Sequence, residues 1–176
     1  MSSNKQVLHF LCGKIAAGKS TLANKLAAQP MTVLVSEDQW LGHLYPGEIA
    51  TLDDYVRRSK NLRDAMEPHV ACLLGEGLSI VLDFPANILH QRKWLRGLCD
   101  APQVSHQLHY LDLSDDACKQ RLRKRNAAEE HVFQTSDENF DLVTSYFVPP
   151  TPSEGFNIIR HTLRHSALDA ESTPAR

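Results

Sequence analysis

Apolar residues arrive along this chain in short blocks, and the blocks keep two different periods. Gln6–Cys12 (QVLHFLC), Met31–Ser36 (MTVLVS), Leu78–Asp83 (LSIVLD) and Gln107–Leu113 (QLHYLDL) are nearly continuous apolar runs. Runs of this length without strict alternation predict strands buried on both faces. Phe156–Thr162 (FNIIRHT) predicts a fifth strand. The segments between them are helical. Lys19–Gln29 is built of good helix formers. From Thr51 a longer helix carries Leu52, Tyr55, Val56, Leu62, Met66, Val70, Leu73 and Leu74 at helical intervals. Thr51 and Asp54 have the spacing of a capping box at its start, Pro68 predicts a kink or a split, and GEG at 75–77 ends it. Further helices are expected over 87–98, after a cap at Ser114 or Asp115, and over 139–147. Residues 37–50, with Pro46 and Gly47, read as a loop, 126–138 as a polar irregular segment and VPPTPSEG (148–155) as a proline-rich turn.

Strands alternating with helices give an α/β fold: a parallel five-stranded sheet covered by helices on both faces. No repeat or long linker divides the chain. Residues 1–165 are expected to form one domain, and the aperiodic tail from Ser166 to be disordered.

Composition narrows the class without naming a partner. Apolar residues make up 42% and charged residues 23% of 176, as in ordinary globular proteins, and a net charge of −2 gives no global reason to expect nucleic acid or a membrane. No stretch reaches the ~20 apolar residues of a membrane span, and MSSNKQ does not read as a signal segment, so the cytoplasm is the expected location. Cys12, Cys72, Cys99 and Cys118 are scattered and read as reduced, mostly buried thiols. His106 and His109, three apart on one strand, point to opposite faces, which argues against a metal site there.

Ligands of parallel sheets sit at the carboxyl ends of the strands, and three strands here end in chemically loaded residues. After strand 1 comes GKIAAGKS, in which Gly13, Gly18, Lys19 and Ser20 complete the phosphate-loop pattern between a strand and a helix. Its glycines let backbone amides turn toward an anion, and the following helix adds its positive end. Gly13, Lys14, Ala16, Ala17, Gly18, Lys19, Ser20 and Thr21 are therefore the expected binding residues for a nucleoside triphosphate, ATP. Lys19 reaches the β- and γ-phosphates and Ser20 holds Mg²⁺. Asp83, closing LSIVLD, is the second magnesium-site candidate; its rival reading is a helix cap. Strand 2 ends in Glu37 and Asp38, which oppose each other if both lie on the strand. Asp38 is chosen as the catalytic base for an acceptor hydroxyl, against the reading of a solvated acidic loop at the start of the next helix.

Lys119–Arg125 (KQRLRKR) packs five basic residues into seven positions. Arg121 and Arg125 share one helical face and suit phosphate contacts, Arg125 as a catalytic group and Arg121 in nucleotide binding; a solvated basic helix end is the alternative. Arg123 and Lys124 point elsewhere. Arg57, Arg58, Lys60 and Arg63 serve either an anionic acceptor or a solvated helix face. Trp40 and Tyr45 form either an acceptor wall or core cover.

The order GKIAAGKST, VSED, VLDFPAN, RKW and YLDLSDDACKQRLRKRN resembles the small phosphate-loop kinases over about residues 6–160. Within them it resembles the polynucleotide kinase, zeta toxin and chloramphenicol phosphotransferase group, generically an AAA-type ATP-binding domain. The resemblance implies a P-loop NTPase of nucleoside-kinase type with a short lid at about 126–138. It implies that Asp38 matches the acceptor-activating base, and that Arg121 and Arg125 match arginines reaching the nucleotide from the lid. It also implies that the proline-rich turn packs beside adenine, with Glu154 following the prolines and backbone around Thr151 and Ser153 bordering the base. Polynucleotide kinases carry an arginine three residues past the base; here Leu41 stands there, which disfavours a 3′-phosphorylated nucleic-acid acceptor. The expected reaction is Mg²⁺-dependent phosphoryl transfer from ATP to a hydroxyl of a small-molecule or nucleoside-like acceptor. A nucleotide-dependent switch or ATPase, and a polynucleotide 5′-kinase, are the alternatives.

Overall fold

The computed structural model describes residues 6–100, 104–128 and 135–162. In chain order the elements are β1 (Val7–Cys12), α1 (Lys19–Ala27), β2 (Thr32–Ser36), α2 (Glu37–Leu44), α3 (Leu52–Gly75), β3 (Ser79–Pro85), α4 (Leu89–Gly97), β4 (Ser105–Leu111), α5 (Asp115–Ala127), α6 (Asp137–Ser145), a 3₁₀ turn (Pro152–Glu154) and β5 (Ile158–His161). The five strands form one parallel sheet in the order β2-β3-β1-β4-β5. Strand 1 therefore lies in the middle of the sheet, and the loop that follows it opens at the centre of the sheet's carboxyl edge.

Alternate strand residues feed two apolar layers. Leu8, Phe10, Ile80, Leu82, Phe84 and Leu108 pack with Leu62, Met66, Val70 and Leu74 of α3 and Leu95 of α4. Leu11, Val81 and Leu111 pack on the other face with Ala23 of α1, Cys118 and Leu122 of α5, and Phe140 of α6. This two-sided burial is why the strands read as unbroken apolar runs.

Several expectations change. The stretch after β2 is helical: α2 begins directly at Glu37, so the predicted loop through Trp40 shrinks to residues 45–51. The α3 helix forms its capping box, with the Asp54 amide donating to Thr51 Oγ1 at 3.1 Å and the Thr51 amide to Asp54 Oδ2 at 3.2 Å. Pro68 does not split it; the carbonyl of Asp64, four residues earlier, lies on the exposed side where water can satisfy it. Leu52 and Val56 are exposed, not core residues, and Cys72 is exposed while Cys12, Cys99 and Cys118 are buried. The tail from Ser166 lies outside the described residues.

One buried ion pair ties α4 to the proline-rich turn. The Arg92 side chain is fully enclosed; its Nε donates to Glu154 Oε2 at 2.5 Å and its Nη1 to the carbonyls of Ala86 and Val148, each at 2.9 Å. Burial pushes the Glu154 carboxyl up, but Arg92 and the Thr151 amide outweigh it and hold it below the usual range. The pair's stabilisation is thus present above the ordinary glutamate value of about 4.3 and is lost as pH falls through the lowered one. Removing one partner of a buried pair costs about 3–5 kcal/mol, against about 2–4 °C of melting temperature per kcal/mol at this size. Glu154→Leu is expected to lower the melting temperature at pH 7 by about 10 °C, with the gap to wild type narrowing below pH ~4. Thermal scans across pH check this.

Candidate functional site

A cavity of about 1130 Å³ opens at the carboxyl edge of the sheet, lined by residues from both of its halves. At its centre is the loop between β1 and α1. Ala16 (φ 58°) and Gly18 (φ 101°) both take left-handed backbone conformations, which turns the chain tightly before α1. A side chain at Gly13 would meet the Leu111 carbonyl oxygen at 3.1 Å and the Ala17 Cβ at 3.2 Å, so a glycine is needed for close packing there. The Gly13 amide donates to Asn87 Oδ1 at 3.0 Å, anchoring the loop to the segment after β3. Gly18 is the N-cap of α1 and supplies no side-chain cap, leaving the first-turn amides of the helix for an anion.

Lys19 folds back over this loop. Its ammonium donates to the carbonyls of Gly13 at 2.7 Å and Lys14 at 2.8 Å. Burial lowers its pKa, while the charges of Asp83 and Asp38 oppose that shift. The two acids are therefore within electrostatic reach of the ammonium. Asp83 is paired in register with Ser36, the last residue of β2, and β3 continues past it through Phe84 and Pro85. Burial raises the Asp83 pKa, and the nearby Ser20 hydroxyl together with the Lys19 charge opposes the rise.

Glu37 and Asp38 do not oppose each other on a strand. Both lie in the first turn of α2, where the helix end favours negative charge. Glu37 is 1% exposed; it accepts from the Tyr55 hydroxyl at 2.7 Å and has Arg63 Nη1 at 3.7 Å. Burial raises its pKa. Asp38 is exposed and lines the cavity beside Asp83.

The β4–β5 side of the cavity carries Leu111, Leu113, Arg121, Arg125, Thr135, His161 and Thr162. Arg121 Nη1 donates to the Ala17 carbonyl at 3.1 Å, so this side chain lies against the phosphate loop. Arg125 lines the cavity, and its buried Nε has no hydrogen-bond partner among the described residues. Arg123 turns away to pair with Asp137, and Lys119 pairs with Asp141, 2.7 Å apart. Asn126 Nδ2 donates to the Thr135 carbonyl at 2.9 Å, pinning both ends of the predicted lid; residues 129–134 of that lid lie outside the described residues.

Of the predicted nucleotide residues, Ala16, Ala17, Gly18, Lys19, Ser20, Thr21 and Arg121 line the cavity; Gly13 and Lys14 do not. The Lys14 side chain is paired with Asp115 and donates to the Leu113 carbonyl at 3.3 Å. Thr151 and Ser153 are exposed and away from the cavity, and Glu154 serves Arg92 instead. Of the two readings for Trp40 and Tyr45, core cover is the one that Tyr45 meets. Trp40 does not line the cavity, and Tyr45 packs against the core with the Arg58 guanidinium 4.4 Å from its ring centre. Arg57, Arg58, Lys60 and Arg63 pair with Asp54, Glu48, Asp64 and Glu37. Leu41 is buried in the core. Sequence reasoning missed His161 and Thr162 as cavity residues. Only the sheet order, which lays the end of β5 beside the end of β4, brings them there.

The chain matches the AAA domain family over residues 8–150. Among solved structures it is similar to a candidate kinase from Chloroflexus aurantiacus, at 20% identity over 93% of this chain and 88% of that one, with a TM-score of 0.69. It is also similar to the Mycobacterium tuberculosis APS kinase CysC in complex with AMPPNP and APS, at 17% identity over 96% and 99%, with a TM-score of 0.58. A chain of the Pnkp1/Rnl/Hen1 RNA repair complex aligns at 16% identity over 80% of this chain and 43% of its own, with a TM-score of 0.61. At such identities the common property is the fold. No curated protein matches the chain by sequence.

Proposed function

The chain belongs to the AAA domain family and has the fold of the small P-loop kinases, and from that premise we propose that it transfers the γ-phosphoryl group of ATP to a hydroxyl of a small neutral acceptor. One observation carries the reading. Lys19, the Ser20–Asp83 pair and Asp38 meet in a single cavity around an uncapped helix end. Separately each has a structural explanation; together they meet the needs of phosphoryl transfer, which is positioning plus neutralisation of charge.

The sheet order gives the direction of the ligand. The acids lie on the β2–β3 side of the loop and Arg121 and Arg125 on the β4–β5 side. The triphosphate would run across the loop with its γ end toward Asp38 and its nucleoside over β4 and β5. Loop amides and Lys19 would bind the phosphates, and Arg121 and Arg125 would balance their charge. Ser20 and Asp83 fit magnesium, which favours one or two protein oxygens beside phosphate and water; it would supply charge neutralisation at the phosphates. Asp38 would orient the acceptor hydroxyl and take its proton. Glu37 fits that role less well, since its carboxylate is enclosed under Tyr55 and Arg63.

The acceptor end of the cavity is lined by Glu37, Asp38, Phe84 and Pro85, which is acidic and apolar. That lining favours a neutral acceptor over an anionic one. The test is label transfer from γ-labelled ATP with Mg²⁺ across sugars, polyols, amino alcohols, nucleosides and 5′-hydroxyl oligonucleotides. Label should appear on a neutral small molecule. Release of free phosphate alone, at a rate no acceptor alters, would mean an ATPase or switch, and transfer confined to oligonucleotides would mean an end-processing kinase.

A further inference from the structure

Three histidines on three adjacent strands form a hydrogen-bonded chain that ends at the cavity. His9 Nδ1 lies 3.0 Å from His109 Nε2, and His109 Nδ1 lies 3.0 Å from His161 Nε2. The ring centres are 5.3 Å apart at both steps. The sheet register produces this. His9 pairs with Gln107, two residues before His109, and His161 pairs with Leu111, two residues after it. A two-residue step keeps side chains on one face, so the three rings climb diagonally from β1 to the carboxyl end of β5. His109 is 4% exposed, and His161 lines the cavity.

The chemistry of such a chain is restrictive. Each N···N link holds one hydrogen, and a neutral imidazole carries one N–H. With His109 neutral, its single N–H must point to one neighbour while its other nitrogen accepts from the other. All links then run the same way, either toward His161 or toward His9. One extra proton fits on any of the three rings without breaking a link. A second does not, because two N–H groups would face each other across one of the links. The ladder therefore takes up one proton as a unit, and shifting hydrogens along it moves that charge between the β1 end and the cavity.

We propose that His9, His109 and His161 act as a one-proton relay whose uptake is coupled to occupancy of the cavity by a nucleoside triphosphate, a proposal that rests on the nucleotide reading above. His161 is the residue at the ligand, and His109 positions it and passes the charge.

The surroundings set the sign. Burial lowers the pKa of His9; burial and then its two histidine neighbours lower that of His109 to about 4. Among the described residues no carboxylate shifts either ring. On this face Lys14, Lys119 and Arg123 are paired with Asp115, Asp141 and Asp137. Asp112, bonded by Tyr110 and Arg160, belongs to the opposite face of the sheet. At the cavity end Arg121 and Arg125 share the β4–β5 side with His161 and disfavour a proton on it, while the acids of the lining, Glu37, Asp38 and Asp83, sit across the loop on the β2–β3 side. A triphosphate reverses that field. Binding should raise the ladder's affinity for its proton, and by linkage acidification should strengthen binding.

The test is a histidine-ring NMR titration of the full chain from pH 4 to 8, with and without Mg²⁺–AMPPNP. Without nucleotide the three rings should change together in one transition worth one proton. With nucleotide its midpoint should rise by about one pH unit, equivalent to about tenfold tighter binding on the acid side. In His109→Phe, His9 and His161 should titrate separately, and only His161 should respond to nucleotide. Three independent transitions in the wild type, or a shared one that nucleotide leaves in place, would overturn the relay even if the variant does not fold. Backbone amides of residues 13–20 separate the two readings. If they shift on adding AMPPNP while the ladder stays put, the relay alone falls; if they stay unmoved, the nucleotide reading falls and the coupling with it.

Discussion

Replacing Lys19 by methionine is expected to cut kcat/KM for phosphoryl transfer by about 10³ while leaving the melting temperature unchanged or slightly higher. The two halves of this result have one cause. The Lys19 ammonium is enclosed by the loop, and burial is the largest influence on its pKa, which lies below that of a free lysine. A base whose folded pKa is lowered opposes folding wherever it is protonated, and that opposition fades only as pH rises through the lowered value. At neutral pH the charge is therefore a burden on the folded chain. Methionine keeps much of the buried stem and removes the charge. What it cannot replace is a charge-assisted contact to the β- and γ-phosphates, worth about 1.5–3 kcal/mol in binding and more where charge moves in the transition state. Kinetics with saturating acceptor, calorimetry with Mg²⁺–AMPPNP and a thermal scan of the same preparations check both halves. A variant that melts well below wild type would show that Lys19 is a structural cation, and the functional reading of its burial would fail.

The sheet and the phosphate loop were legible because their signals are local. Four near-continuous apolar runs and a pattern with fixed glycine, lysine and serine positions need no knowledge of distant contacts. The α2 helix was not legible. Glu37–Leu44 follows β2 without a break and contains Gly42, and the Pro46–Gly47 pair just beyond it reads as loop. What starts this helix is its two acids at the positive end, the same residues that carried a functional reading. Of the kink or split that Pro68 offered, the split does not occur, because an exposed carbonyl one turn back tolerates the lost amide. The remaining misses are long-range. Arg92 meets Glu154 across 62 positions, and His9 meets His109 across 100. Nothing in the spacing of such residues foretells contact; only strand order and register do. The resemblance pointed to the loop, and it also set the backbone around Thr151 and Ser153 beside a base, though neither residue lines the cavity. There the turn runs on from Val148, whose amide donates to the Asn87 carbonyl at 2.9 Å, to Gly155 beside Arg96, held by the Arg92 anchor.

Asp38→Asn is expected to lower kcat for the acceptor-dependent reaction by about 10²–10⁴ and to leave the KM for ATP within about threefold. Asparagine keeps the size of the side chain and can still orient a hydroxyl, but it cannot take the proton, so the loss should fall on the chemical step. Asp38 is exposed and lines the cavity, and its charge is felt by both Lys19 and Asp83. Neighbouring Glu37 provides the contrast. Its carboxylate is buried, accepts from Tyr55 and faces Arg63, so Glu37→Gln should act on how α2 packs against α3. The expected signature is a lowered melting temperature with kcat within about tenfold of wild type. Measuring both variants on the same acceptor at fixed pH separates proton acceptance from scaffold damage. If Glu37→Gln abolishes transfer in a protein that melts normally while Asp38→Asn stays active, the roles of the two acids are reversed. If neither change slows ATP consumption and no acceptor takes up label, there is no base to find, and the cavity hydrolyses or simply holds its nucleotide.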